Sequence, residues 1–398
     1  MGLKHLELLK KTMTQHGSFL ALGVMSFAFF AASVVAKKTM SGDDFYYWNA
    51  LITVLTVSFS FCFFGSEQIL LRFARIEKAK VIVQRKVVYL MIGSLLFFST
   101  AFPLIAEGSF LKLGSLKDYS LCTVSVGLFV FVYNYFRLLK SFVQAQVALN
   151  GWKLLVFCAV LLSSGVGVRA YLAGAMFLAV AITIGIYFLR REDCVLSSEE
   201  LPNDWVSLFL SYAFSLALLV LLNNVDRFLF GYAGDNYVFS SYVYLVSLLL
   251  MPFSIVSNYF GFREVAFLKR SYKRSRFKVK AVRIFVASCL LFFSWFLFLY
   301  LLRDSFEIDI SFSYLFPGVL IVSCRNAYSL YSALFGLHGS PKQIQIGNLM
   351  TLTVVVFSAW VVFYFGVNTL SVLIMLSVFW ISRLSIYVWF TRKVEDYA

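Results

Sequence analysis

Apolar runs of roughly 20 residues recur along the whole chain, separated by short charged segments. A run of that length matches the thickness of a bilayer's hydrocarbon core, where no water serves the backbone and each segment must satisfy its own N–H and C=O groups as a helix. The runs fall at 17–36, 45–64, 87–106, 120–142, 153–170, 171–189, 205–230, 236–258, 281–302, 312–335, 344–366 and 368–390. They predict an all-α polytopic membrane protein of about twelve spans. Gly165-Val166-Gly167 and Arg169 divide the fifth run from the sixth, and weakly marked connections leave counts of eleven or thirteen open. Composition agrees: 61% of the residues are hydrophobic and 14% charged, against about 45–50% and about 25% in soluble domains.

The net charge of +15 reads as membrane topology rather than a nucleic-acid footprint, because Lys and Arg sit in the segments between apolar runs. With a cytoplasmic N-terminus, roughly 25 of the 35 Lys and Arg fall in or beside cytoplasmic segments. Lys37, Lys38, Lys112, Lys117, Arg169, Arg227 and Arg303 fall on the other side, and Arg137, Arg325 and Arg383 within spans. Both termini are therefore expected in the cytoplasm. Two longer basic segments, Gly65 to Lys86 and Gly261 to Arg283, each follow the second span of a half. The first contains Lys78; the second contains Lys269 and Arg270. Ile69, Leu70, Phe73 and Ile76 have helical spacing, which suits an amphipathic helix on the inner leaflet; for both segments a topology anchor without further role is the favoured alternative. The N-terminal run, Gly17 to Ala36, is longer than a signal h-region and reads as a retained span. None of the six cysteines forms a CxxC pair, and His5, His16 and His338 are not in ligand spacing, so no metal or cofactor is expected.

The chain matches itself at nearly half its length. Gly42-Asp43-Asp44-Phe45-Tyr46 follows the first span, and Gly234-Asp235-Asn236-Tyr237-Val238 the seventh. Arg137, Ser141 and Gly151 recur as Arg325, Ser329 and Gly339 at the same offsets. The repeat predicts two pseudo-symmetric six-helix halves, 1–195 and 196–398, joined by the polar stretch Arg190 to Asn203. Six spans per half gives both halves one orientation, a design of secondary transporters that bind substrate in a cavity between the halves.

Asn223-Asn224-Val225-Asp226-Arg227-Phe228-Leu229-Phe230-Gly231, the opening of the eighth span at Tyr237 to Leu245, and the paired basic loops resemble the multidrug/oligosaccharidyl-lipid/polysaccharide exporter superfamily. Within it the chain is similar to bacterial O-antigen flippases and polysaccharide transporters. The resemblance implies a flippase in the bacterial inner membrane. Its substrate would be a polyprenyl-diphosphate oligosaccharide for lipopolysaccharide or related polysaccharide biosynthesis, moved by alternating access. It also implies membrane lipid and polysaccharide assembly proteins as partners, with proton or sodium coupling.

Charges inside a bilayer cost about 2.5–3.5 kcal/mol on insertion scales and usually mark function. Arg325 falls near the middle of its run. The repeat places Arg137 at comparable depth, whereas the 120–142 boundary places it nearer an end. Two such guanidiniums suit a diphosphate, which they bind in bidentate forks. Pairing with backbone or a carboxylate is the structural alternative. Arg383 and Lys140 sit nearer span ends, where snorkelling is favoured for Arg383. Asp226 and Arg227, near the outer end of the seventh run, are candidates for a coupling site or gate, and Glu67 is a weaker one. Scarce intramembrane carboxylates favour an anionic substrate. The alternative is a cation-coupled small-molecule or drug antiporter of the same superfamily. A membrane enzyme is disfavoured, because no sizeable loop carries an acidic cluster.

Overall fold

The computed structural model describes residues 2–77, 80–109, 116–139, 141–163, 167–189, 194–203, 205–233, 235–268 and 271–396. Lys78, Lys112, Lys140, Gly165, Val166, Arg190, Gly234, Lys269 and Arg270 of the sequence reading lie outside them. Contacts divide the chain into two compact units, Met1–Val220 and Leu221–Ala398.

The first unit holds α1 (Gly2–Thr39), α2 (Gly42–Phe61), α3 (Ser66–Phe73), α4 (Arg85–Ser109), α5 (Leu116–Leu138), α6 (Phe142–Asn150), α7 (Trp152–Ser163) and α8 (Val168–Phe188). Next comes α9 (Trp205–Ala233), within which the division falls. The second unit continues with α10 (Asn236–Leu249), α11 (Met251–Leu268), α12 (Arg274–Leu301), α13 (Arg303–Phe306), α14 (Leu315–His338), α15 (Pro341–Phe365) and α16 (Thr369–Thr391). The fold is all-α and polytopic. Nine helical stretches among the described residues are long and apolar enough to cross a membrane, and α9, bent by 55° between Trp205–Leu221 and Asn223–Ala233, makes a tenth if those two parts form one span.

The expected twelve runs are helical, but two fall short as spans for physical reasons. The eighth breaks into α10 and α11 at Leu250, where Pro252 has no N–H to give the Leu248 carbonyl and Trp295 Nε1 donates to it instead. The tenth, α14, carries Arg325, Asn326 and several small polar residues along its 24 residues. It tolerates them because α11, α12 and α16 pack around it and protein replaces lipid as its surroundings. The fifth run also shifts: the chain re-enters a helix at Phe142, so the span is α6 with α7, Phe142–Ser163.

Within each unit one packing order recurs. In the first, α5 packs on α2, α4 and α8; in the second, α14 packs on α11, α12 and α16. Each central helix brings a glycine against its third-span neighbour. A side chain at Gly127 would run into Leu95 of α4, and one at Gly318 into Phe292 of α12. The repeated Gly151 and Gly339 both cap helix ends, and at each a Cβ would lie 2.6 Å from the carbonyl oxygen four residues back. The Gly42/Gly234 match is looser. Ser41 caps α2 by accepting from the Asp44 N–H, whereas in the second unit Asp235 itself caps α10 by accepting from Val238 N–H at 2.7 Å. Polar side chains inside α2 satisfy themselves locally: Asn49, Thr53, Thr56 and Ser58 each donate to the carbonyl four residues back, at 2.7–2.9 Å.

The basic segment after α2 is not one amphipathic helix. The chain turns at Gly65 (φ +87°), and α3 carries Ile69, Leu70 and Phe73 as predicted but stops there. Ile76 lies in a strand. The β-branched stretch Val81-Ile82-Val83 forms the centre of a three-stranded sheet. Strand β2 (Lys80–Gln84) pairs antiparallel with β1 (Arg75–Glu77) and parallel with β3 (Cys194–Ser197). Thus part of the expected linker, Arg190 to Asn203, is a strand of the first unit. Arg75–Glu199 at 3.2 Å and Lys86–Glu200 at 3.3 Å flank it as exposed ion pairs.

The second basic segment is largely helical, because α11 continues to Leu268 and α12 begins at Arg274. Leu268, Tyr272 and Phe277 form a small core with Leu330 and Leu334 of α14. Glu264 of α11 pairs with Lys280 of α12.

Candidate functional site

In the second unit, α9, α10, α14 and α16 supply the charged and aromatic residues of the candidate site. Arg325 is the eleventh residue of α14, about 15 Å from its first residue and about 20 Å from its last at about 1.5 Å per residue. That fits the mid-span reading. Its guanidinium lies over the Trp380 ring of α16, 5.1 Å from the centroid, and Ser257 Oγ of α11 donates to its backbone carbonyl at 3.3 Å.

Arg383 does not snorkel. It is 5% exposed, and its guanidinium lies over the rings of Tyr328 and Tyr387 at 4.9 and 5.7 Å. Its Nε and Nη1 have no hydrogen-bond partner, and no carboxylate among the described residues pairs with it. The cause is packing: α16 is the closest neighbour of α14, and Arg383 projects into their seam rather than along it to the interface. Tyr328 stacks edge-on against Trp380 at 5.6 Å and against Tyr387 at 4.8 Å. Arg325, Trp380, Tyr328, Arg383 and Tyr387 therefore form one continuous cation–aromatic ladder.

Asp226 is 3% exposed and Arg227 likewise. They are no surface cap: Asp226 lies seven residues inside the end of α9, and α10 closes over it. Tyr242 Oη of α10 donates to Asp226 Oδ2 at 2.7 Å, and Phe230 stacks on Tyr242 at 4.0 Å. Asp226 Oδ1 has no hydrogen-bond partner. Asp226 and Arg227 thus sit side by side on α9, and the aromatic seam of α14 and α16 joins Arg325 to Arg383.

Arg137 stands apart, in the first unit. It is the last residue but one of α5, so the comparable depth expected from the repeat does not hold; the helix ends at Leu138 and restarts at Phe142. Its Nη1 donates to Asn134 Oδ1 at 3.4 Å, and its guanidinium lies over Tyr133 at 5.6 Å. Arg169 is engaged within the first unit. It pairs with Asp44 at 3.6 Å and covers Tyr47 at 4.7 Å, while Tyr47 donates to Asp118 Oδ2 at 3.1 Å. Glu67 lies in the first turn of α3, beside the Gly65 turn, with Oε2 unpartnered.

Sequence reasoning missed the aromatic partners Trp380, Tyr328, Tyr387 and Tyr242. A signal existed for three of them: Trp380, Arg383 and Tyr387 recur at spacings of three and four on α16, and Arg325 and Tyr328 at three on α14.

No protein-family model matches the chain, and no curated protein matches its sequence. In three dimensions it is similar to the lipid II flippase MurJ in its inward closed conformation. The TM-score is 0.62, the identity is 14%, and the likeness covers 94% of this chain and 87% of MurJ. At that identity the likeness bears on fold: nearly the whole chain adopts the polytopic helical architecture of that flippase.

Proposed function

We propose that this protein flips a lipid-linked oligosaccharide across the bacterial inner membrane by alternating access, and that Arg325 and Arg383 carry the diphosphate. The observation that carries the reading is the charge balance inside the second unit. Helices α9, α14 and α16 bury or half-bury Arg227, Arg325 and Arg383 against a single carboxylate, Asp226. Three guanidiniums less one carboxylate leave two fixed positive charges, since arginine does not deprotonate in proteins. A diphosphate brings negative charge and acceptor oxygens that guanidinium forks match. The MurJ-like fold supports a lipid-linked substrate. An O-antigen or other polysaccharide repeat unit is the preferred cargo, delivered to polysaccharide assembly proteins outside. Arg137 would meet the diphosphate from the first half, 1–195, facing the second, 196–398, across a central cavity. Both termini lie in the cytoplasm.

A second reading, cation-coupled antiport of a small solute, draws on Asp226. A buried carboxylate with one unpartnered oxygen is suited to a proton or sodium ion, and in the flippase reading it serves as the coupling group, with Arg227 beside it as gate.

The test follows a fluorescent polyprenyl-diphosphate oligosaccharide in reconstituted vesicles. Arg325→Ala removes about two charge-assisted hydrogen bonds of about 1.5–3 kcal/mol each, an expected loss of at least about 100-fold, with partial retention in Arg325→Lys. Normal flipping by Arg325→Ala would refute the site. A wild type that moves a soluble solute but leaves the lipid in place would favour the antiporter.

A further inference from the structure

The second unit contains a cleft that the charged site does not use. It has a volume of about 290 Å³ and lies between α11 and α12, which both pack on α14. Phe253 and Phe260 of α11 form one wall, and Leu291 and Trp295 of α12 the other. Asn326 of α14 and Ser288 of α12 also line it. Leu291 is 61% exposed, so the cleft opens to the outside of the unit at the depth of the middle of α12.

The polar pair is anomalous there. Asn326 is 1% exposed, and one of its N–H groups donates to Ser288 Oγ at 2.9 Å, while its Oδ1 has no partner. Turning the amide over exchanges the two atoms and still leaves half of it unpaired. The Trp295 N–H is already spent on the Leu248 carbonyl at 3.0 Å, so the indole offers the cleft only its ring. An unpaired amide in an apolar cleft points to a ligand that is mostly hydrocarbon but carries something for the amide to contact.

The size restricts the occupant. At about 30 Å³ per water, the cleft holds about ten water-sized groups, far less than a helix about 10 Å across needs. A single chain fits. A saturated acyl chain gives the amide nothing. An isoprenoid chain carries a double bond in every repeat, so one always falls at the amide; with the amide turned so that Oδ1 accepts from the Ser288 hydroxyl, the freed N–H group meets that π face in a weak contact. Arg325, next to Asn326, faces α16 instead.

We propose that this cleft seats the isoprenoid chain of the lipid-linked substrate, with Asn326 as the residue that selects it over acyl chains. The proposal rests on the flippase reading. Adjacent residues of α14 then read the two ends of one amphiphile: Arg325 the diphosphate, Asn326 the chain.

The experiment photolabels the reconstituted full chain with a diazirine-bearing polyprenyl phosphate and, separately, with a diazirine-bearing phosphatidylglycerol, and maps the labelled peptides by mass spectrometry. The expected result is prenyl label on the α11 and α12 walls that unlabelled polyprenyl phosphate displaces, with little acyl label there. Ala287→Trp, an exposed residue at the cleft, should abolish the label, and Asn326→Leu should reduce it about two- to fivefold, a weak N–H to π contact's worth of affinity. Equal labelling by both probes, or label unchanged in both variants, overturns the proposal. Labelling needs no transport, so a chain that labels here yet never flips a diphosphate lipid retains the cleft and loses the flippase reading.

Discussion

Arg383→Leu separates a binding arginine from a structural one. In the wild type, Nε and Nη1 are buried without partners, and each unsatisfied donor costs about 1–3 kcal/mol. Two of them cost about 2–6 kcal/mol. Against that stand contacts to the rings of Tyr328 and Tyr387, each about 0.5–2 kcal/mol, together about 1–4 kcal/mol. Leucine removes both sets. Leucine also forfeits the hydrogen bonds that the guanidinium donates to the Tyr328 and Tyr387 hydroxyls, about 1.5–3 kcal/mol each, together about 3–6 kcal/mol. About 4–10 kcal/mol is lost and about 2–6 kcal/mol relieved, so the variant should be destabilised by about 2–4 kcal/mol. The assay pairs thermal unfolding of purified protein with lipid flipping in vesicles, scored on the folded fraction. A folded fraction that has lost flipping is expected. A folded fraction that still flips at the wild-type rate would show that Arg383 holds the α14–α16 seam and binds nothing.

Asp226→Asn should keep the Tyr242 hydrogen bond while removing the carboxylate beside Arg227, the only one on α9, α14 and α16 among the described residues; flipping in vesicles with an imposed proton or sodium gradient should lose its dependence on that gradient. Gly65→Ala should destabilise the first unit by more than about 1 kcal/mol in thermal unfolding, because φ is +87° and a Cβ would sit 2.9 Å from that of Tyr212. Val81→Cys should form a disulfide with Cys194 on mild oxidation, seen as a mobility shift, because the two are Cα partners in neighbouring strands about 4.8 Å apart. Glu199→Gln with Glu200→Gln should change stability by less than about 1 kcal/mol per pair, since both ion pairs are exposed.

The helical, polytopic architecture was legible because a bilayer imposes one length and one composition on every lipid-facing span. The reading weakened where protein takes over from lipid. α14 reads poorly as a span because its neighbours cover it, and α10–α11 because Pro252 interrupts a run that hydropathy sees as continuous. The strands after α3 escaped notice since Ile69, Leu70, Phe73 and Ile76 fit a helix, and only pairing with a segment more than 100 residues away decides otherwise. In the site, the charges were visible as isolated costs in apolar runs. Depth was not: Arg325 fell as read, whereas Arg137 depended on a helix end at Leu138 that apolar residues up to Leu149 concealed. Nor was company legible, because the rings that receive Arg325 and Arg383 are brought together by the α14–α16 contact.

The covering of α14 by other helices also bears on how the protein is made. A nascent span is judged by the translocon largely on its own hydrophobicity, and a central arginine weighs against insertion by about 2.5–3.5 kcal/mol. With Arg325 and Asn326 at its middle, α14 meets that judgement before α16 exists to shelter it. Its entry into the membrane must lean on α11 and α12, already synthesised, and its burial must wait for α16. The helix proposed to hold the diphosphate is thus one whose biosynthesis depends on its neighbours.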